Sequence, residues 1–139
     1  MRVQATYPLV VTDQLGACRD FYTQGLGFSV LFEASWFVYM SYSVDSGHGI
    51  AFMSPDHPSR PPGPESFNGE GVLLTLQVED AAAARERIRE AGLAVDHELT
   101  REAWGQLRFG LRDPAGVWVD VVEQIEPEPG FWDPYLTSG

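Results

Sequence analysis

The chain has 139 residues, 44% hydrophobic and 21% charged, which suits one ordinary domain whose core needs no disulfide or metal staple. Twenty acidic residues against nine basic ones give a net charge of −11, which argues against nucleic acid as a partner and suits either a solvated surface or a cationic ligand. Every basic residue is Arg, so chemistry through a lysine Schiff base is excluded.

Taken in chain order, Tyr7 to Val11 predicts a strand, Asp13 a helix N-cap, Gln14 to about Gln24 a helix, and Gly25 its stop. Leu15, Cys18 and Phe21 with Tyr22 fall at helical spacing and predict its buried stripe. Cys18, the only thiol, is read as a small buried hydrophobe; it cannot form an internal disulfide, which fits a reducing compartment. Strand-like stretches follow at Phe28 to Glu33, Trp36 to Tyr42 and Ile50 to Met53, with His48 in the Ser46 to Gly49 turn. Ser54 to Gly71, with Pro55, Pro58, Pro61, Pro62 and Pro64, is a linker without helix.

The same order then repeats. Val72 to Val78 predicts a strand, Asp80 an N-cap, Ala81 to Ala91 a helix with Ala84, Ile88 and Ala91 inward, and Gly92 its stop. Ala94 to Leu99, Gln106 to Leu111 and Val117 to Gln124 predict three more strands, the last two joined by a type I turn at Asp113-Pro114-Ala115-Gly116. The tail carries Phe131, Trp132 and Tyr135, aromatics that suggest packing. The expected organisation is a first βαβββ module over 1–54, a Pro-rich linker over 55–71, a second module over 72–125 and a tail over 126–139, all in one domain. No segment approaches the roughly eighteen apolar residues of a membrane span, and residues 1–11 lack a signal-peptide pattern, so the expected location is the cytoplasm, with no membrane partner.

V-x-D before a helix containing Phe21-Tyr22, then Leu26-Gly27-Phe28, a second V-x-D, Ala91-Gly92-Leu93 and the closing D-P-x-G turn together resemble the vicinal oxygen chelate superfamily of glyoxalases, bleomycin-resistance proteins and extradiol dioxygenases, over nearly all of residues 3 to 125. The resemblance implies an α+β fold of two βαβββ modules forming a curved mixed sheet around a cavity, where the family's enzymes hold a divalent metal. It places the family's ligand positions at Thr6, Leu73 and Asp120. A divalent site needs about three convergent donors, and these positions offer a hydroxyl, an aliphatic chain and one carboxylate. His48, His57 and His97 offer no replacement. No metal, cofactor or catalytic residue is therefore expected.

Strand alternation puts Trp118 and Val122 beside Asp120, and Thr75 and Gln77 beside Leu73, with Val117, Val119 and Val121 turned to the helices. With Val10 these predict a mostly apolar cavity with few polar anchors. Trp36 and Trp104 take related places, each opening a strand, and either sandwich a planar ligand or fill core or a dimer seam; Tyr39 and Phe109 carry the same alternatives. Arg108 either faces the cavity opposite Asp120 or is an ordinary surface or salt-bridged arginine. The candidate ligand-binding residues are Trp36, Tyr39, Leu73, Trp104, Arg108, Trp118 and Asp120. The leading expectation is a metal-free protein sequestering an aromatic or cationic natural product such as an antibiotic, homodimeric by resemblance. The alternatives are a metal-dependent lyase, thiol transferase or dioxygenase with displaced ligands, or a biosynthetic accessory protein.

Overall fold

The computed structural model describes residues 1–42 and 47–137. Ser46 of the expected turn and the last two residues of the tail lie outside the described residues. The chain divides into two units, Met1–Val72 with Asp113–Val117, and Leu73–Arg112 with Trp118–Gly139.

The first unit runs β1 (Leu9–Val11), α1 (Leu15–Asp20), a π-helical turn (Phe21–Gly25), β2 (Ser29–Ala34), β3 (Phe37–Ser41) and β4 (Gly49–Met53). Its sheet has the order β1-β4-β3-β2, with β1 parallel to β4 and the other pairs antiparallel. The second runs β5 (Leu73–Gln77), α2 (Ala81–Glu90), β6 (His97–Glu102), β7 (Gln106–Arg112) and β8 (Trp118–Gln124), ordered β5-β8-β7-β6 with β5 parallel to β8. Each sheet is therefore mixed and each module is βαβββ, the α+β class that the repeated pattern predicts. The 54–71 linker contains no helix.

The two helix starts differ. Asp80 caps α2, its carboxylate accepting from Ala83 N–H at 3.0 Å, as expected. Asp13 does not cap α1: the helix begins at Leu15, Gln14 takes the cap position without a side-chain capping bond, and the Thr12 hydroxyl accepts from Gln14 N–H. The expected Gln14–Gln24 helix is α-helical only to Asp20. Its continuation as a wider π turn lets the consecutive Phe21 and Tyr22 both be buried, where Tyr22 packs against Phe28 and Phe52. The left-handed residue that ends this segment is Gly27, at φ 80°, rather than Gly25. In α2, Ala81 and Ile88 are buried, whereas Ala91 is exposed.

Register assigns the sheet faces. Val10 pairs with Phe52, which pairs with Val38, and the Phe52 ring meets Tyr22; Val10 thus lies on the helix side and not on the open face expected of it. In the second sheet the expected alternation holds: Val119 and Val121 are buried, Glu123 on the same side accepts from Ala81 N–H at the start of α2, and Leu73, Thr75 and Gln77 are exposed on the opposite face. Strand β6 starts at His97, three residues beyond the expected Ala94, and continues into Thr100-Arg101-Glu102, where charged residues mask the strand pattern.

Asp113 begins the β7–β8 turn, which Gly116 N–H closes onto Asp113 O at 3.0 Å. Its buried carboxylate accepts from Tyr22 O–H at 2.7 Å and from the N–H groups of Ala115 and Val117 at 2.9 Å. Burial holds the Asp113 carboxyl above the usual carboxylate range, and these hydrogen bonds pull it back. The folded value exceeds the unfolded one, so the contribution of this group to stability is complete below about pH 3.9 and is lost as pH rises through the folded value. Tyr22→Phe removes one stabiliser of the ionised form. It is expected to move the Asp113 titration to higher pH and to cost about 1–2 kcal/mol at neutral pH. A carboxyl-carbon NMR titration with urea unfolding checks both; an Asp113 titration unmoved by the substitution would contradict the bond's role.

Candidate functional site

The face of the second sheet turned away from α2 is built from three registered rows, exposed along β5 but buried at Asp120 and Val122. Leu73, Trp118 and Arg112 form the first, Thr75, Asp120 and Gly110 the second, and Gln77, Val122 and Arg108 the third. Side chains in such rows share a face, so Arg108 and Asp120 are diagonal neighbours. The Arg108 Nη1 lies 3.4 Å from the Asp120 carboxylate, and its Nε donates to Glu102 at 2.7 Å. Burial alone would lower the Arg108 pKa, but the Glu102 hydrogen bond and the Asp120 charge hold it above its usual value. Glu102 is brought into reach because β6 and β7 are joined by the tight turn 103–105, across which Glu102 pairs with Gln106.

Two indoles flank this ion network. Trp104 lies in the 103–105 turn; its ring is 5.1 Å from the Arg108 guanidinium and its N–H donates to Gln106 Oε1 at 2.9 Å. Trp118 lies flat over Gly110: a Cβ there would come within 2.7 Å of Trp118 Cε2 and 2.9 Å of Nε1, so only glycine leaves the indole its seat. The Arg112 guanidinium sits 5.4 Å from the Trp118 ring.

The remaining expected site residues belong to the first unit. Trp36 is half-buried in the turn before β3 rather than opening the strand, with its ring 5.9 Å from that of Phe37 and its carbonyl accepting from Ser54 N–H. Trp104 likewise precedes its strand. Tyr39 on β3 packs against Tyr7 at 4.8 Å and covers Gly49, where a Cβ would fall 2.7 Å from Tyr39 Cε2. Phe109 is fully buried, in register with Val121 on the helix side, and is core. Glu102, Gly110 and Gly49 were not among the expected site residues. The one signal for Glu102 is an acidic residue and Arg108 on either side of a Gly-containing turn.

Cys18 is fully buried, and burial, with the Asp113 charge, pushes its thiol up to about 12, which removes it as a nucleophile. The histidines stand apart. His48 bridges Thr6 in parallel register. His57 is buried in the linker, with Nε2 2.6 Å from Gly63 O and Nδ1 accepting from Ser59 N–H. His97 has a buried Nε2 with no hydrogen-bond partner among the described residues.

The sequence profile of the Glyoxalase/Bleomycin resistance protein/Dioxygenase superfamily matches residues 4–121, and the chain belongs to that superfamily. Solved structures agree on the fold. A glyoxalase/bleomycin resistance protein/dioxygenase from Nocardioides superposes with a TM-score of 0.73 at 21% identity, over 94% of this chain and 89% of that one. The virulence protein STM3117 from Salmonella typhimurium gives 0.72 at 13% identity over 90% and 99%. A lactoylglutathione lyase from Agrobacterium tumefaciens gives 0.67 at 19% over 88% and 96%. No curated protein matches the chain. No helix among the described residues is long and apolar enough to cross a membrane.

The residues present do not fit the divalent metal that the fold's enzymes carry. Leu73 has no donor atom, the Asp120 carboxylate is paired with a guanidinium that would repel a cation, and no three His, Cys, Asp or Glu side chains converge among the described residues. What the face offers is aromatic surface and a fixed set of hydrogen-bonding groups. Gly110→Ala should displace the Trp118 indole, costing about 1–3 kcal/mol and shifting tryptophan emission. Unchanged emission and urea midpoint would show that the seat beneath the ring is not tight.

Proposed function

We propose that this chain is a metal-free small-molecule binding protein that sequesters an antibiotic or related natural product, with a planar aromatic guest held against the Trp104–Arg108–Trp118 face of the second sheet. The observation that carries this reading is the Arg108–Asp120 pair, which occupies the carboxylate a metal would need and leaves two indoles beside it. Sequestration requires affinity without chemistry, and aromatic stacking adds about 0.5–1.5 kcal/mol per pair beyond area burial. On the face itself Glu102 and Asp120 balance Arg108 and Arg112, while the overall −11 favours the approach of a cationic guest. Action in the cytoplasm as a homodimer belongs to the same proposal, supported by the lone unpaired cysteine and by exposed Val30, Leu31 and Phe32 on the edge strand β2.

Titration of tryptophan fluorescence with proflavine, and with aromatic, cationic and peptide antibiotics, is expected to give saturable quenching by at least one planar compound. Trp118→Leu should weaken that binding by about tenfold. Flat titrations throughout would sink the reading. Native mass spectrometry and elemental analysis of protein purified without added metal should show a dimer and no stoichiometric zinc, nickel, manganese or iron; a full equivalent of any of them would favour a metalloenzyme.

A further inference from the structure

Beyond Gln124 the chain does not leave the second unit but returns to the turn that carries Trp104. Consecutive carbonyls of that turn are all taken by the C-terminal segment. Ala103 O accepts from Glu128 N–H at 2.9 Å, Trp104 O from the Trp132 indole N–H at 2.9 Å, and Gly105 O from Ile125 N–H at 2.9 Å. The approach is close enough to demand glycine: Gly105 has φ +112°, and a Cβ there would lie 2.9 Å from Ile125 O and 3.2 Å from Pro127 N. The Phe131 ring stands 6.5 Å from Trp104 and packs with Trp132 at 5.2 Å and Tyr135 at 5.7 Å. The Trp104 ring thus lies between Phe131 of the tail and the Arg108 guanidinium, the latter at 5.1 Å.

The superfamily match ends at residue 121, so this segment adds to the matched region. A three-residue surface turn would ordinarily leave an indole free to change rotamer, and ordering it on binding would weaken a guest's affinity. Hydrogen bonds to each carbonyl of the turn, two from backbone N–H groups and one from the Trp132 indole, fix its backbone, and the Phe131 ring together with the Trp104 N–H bond to Gln106 restrains the indole.

We propose that residues 125–136 form a strap that positions Trp104, and through it Arg108, as a preorganised aromatic wall of the guest-binding face, with Phe131 and Trp132 as the positioning residues. This deepens the binding reading above and rests on it for its functional meaning, while the geometry of the strap can be tested without any guest.

The test uses full-length Phe131→Ala, Phe131→Tyr and Trp132→Phe, the last keeping a ring but losing the N–H bond to Trp104 O. In guest-free protein, the upfield NMR shift that the Trp104 ring imposes on the Arg108 side-chain protons should collapse in Phe131→Ala, shrink in Trp132→Phe and survive in Phe131→Tyr. Proflavine binding by calorimetry should weaken about five- to tenfold in the first two and be rescued in Phe131→Tyr, out of proportion to any change in melting temperature. An Arg108 shift that persists in both Phe131→Ala and Trp132→Phe overturns the strap, as does affinity that merely follows thermal stability. If wild-type protein binds no proflavine and none of the antibiotics, the binding reading fails, and the Arg108 shift alone decides whether the strap orders Trp104.

Discussion

A carboxylate whose side chain is only 8% exposed loses hydration that something else must replace, and for Asp120 that replacement is the Arg108 guanidinium at 3.4 Å. The arrangement constrains everything around it. Arg108 reaches Asp120 along the diagonal of the sheet, and Gly110, the residue opposite Asp120, contributes no side chain and so seats the Trp118 indole. The guanidinium needs a second acceptor for its Nε, which fixes Glu102, and its flat face is covered by Trp104. A guanidinium already paired with both carboxylates makes the centre of the face a poor place for a metal ion.

The two modules repeat their topology without repeating their open-face residues, yet one packing device appears in both. A glycine in a strand forfeits side-chain packing, and a neighbouring aromatic laid across it restores the lost contact. Tyr39 does this for Gly49 in the first sheet, with the ring on the third strand of the module and the glycine on the fourth. Trp118 does it for Gly110 in the second, with those places exchanged. The exchange matters for chemistry: it leaves Asp120 on the strand that carries the indole and admits Arg108 on the strand that carries the glycine.

Much of this fold was legible because it is written in local pattern. The alternation of Leu73-Leu74-Thr75-Leu76-Gln77 and of Val117 to Val122 states which side meets the helix, and Asp80 followed by an alanine-rich run states where α2 begins. What could not be read depends on contacts distant in sequence. Asp13 looks as good an N-cap as Asp80, but tertiary packing starts α1 one residue later and hands the Gln14 N–H to Thr12. The π turn exists because two adjacent aromatics both have core to fill, Tyr22 with an acceptor on Asp113 ninety-one positions away. The face of Val10 is not legible in the sequence, because Leu9-Val10-Val11 is apolar throughout and shows no alternation. Arg108 has two alternatives in the sequence for a different reason: its strand is long enough to alternate, but only the register with β8 shows that it and Asp120 share a side.

The helix-facing sides of the modules are more alike than their open sides. Arg19 of α1 donates to Glu33 of β2 at 2.9 Å, and Arg85 of α2 donates through Nε to Glu98 of β6 at 2.9 Å, so in each module an arginine from the helix latches the outermost strand of the sheet. Exposed pairs of this kind each contribute little to stability, about 0–1 kcal/mol. Arg108 differs in what it meets: it sits on the face away from the helix, binds two carboxylates from different strands and stacks on an indole. The internal repeat thus retains the contacts that hold helix to sheet and diversifies those turned away from the helix, which is where a binding specificity peculiar to this chain would be built.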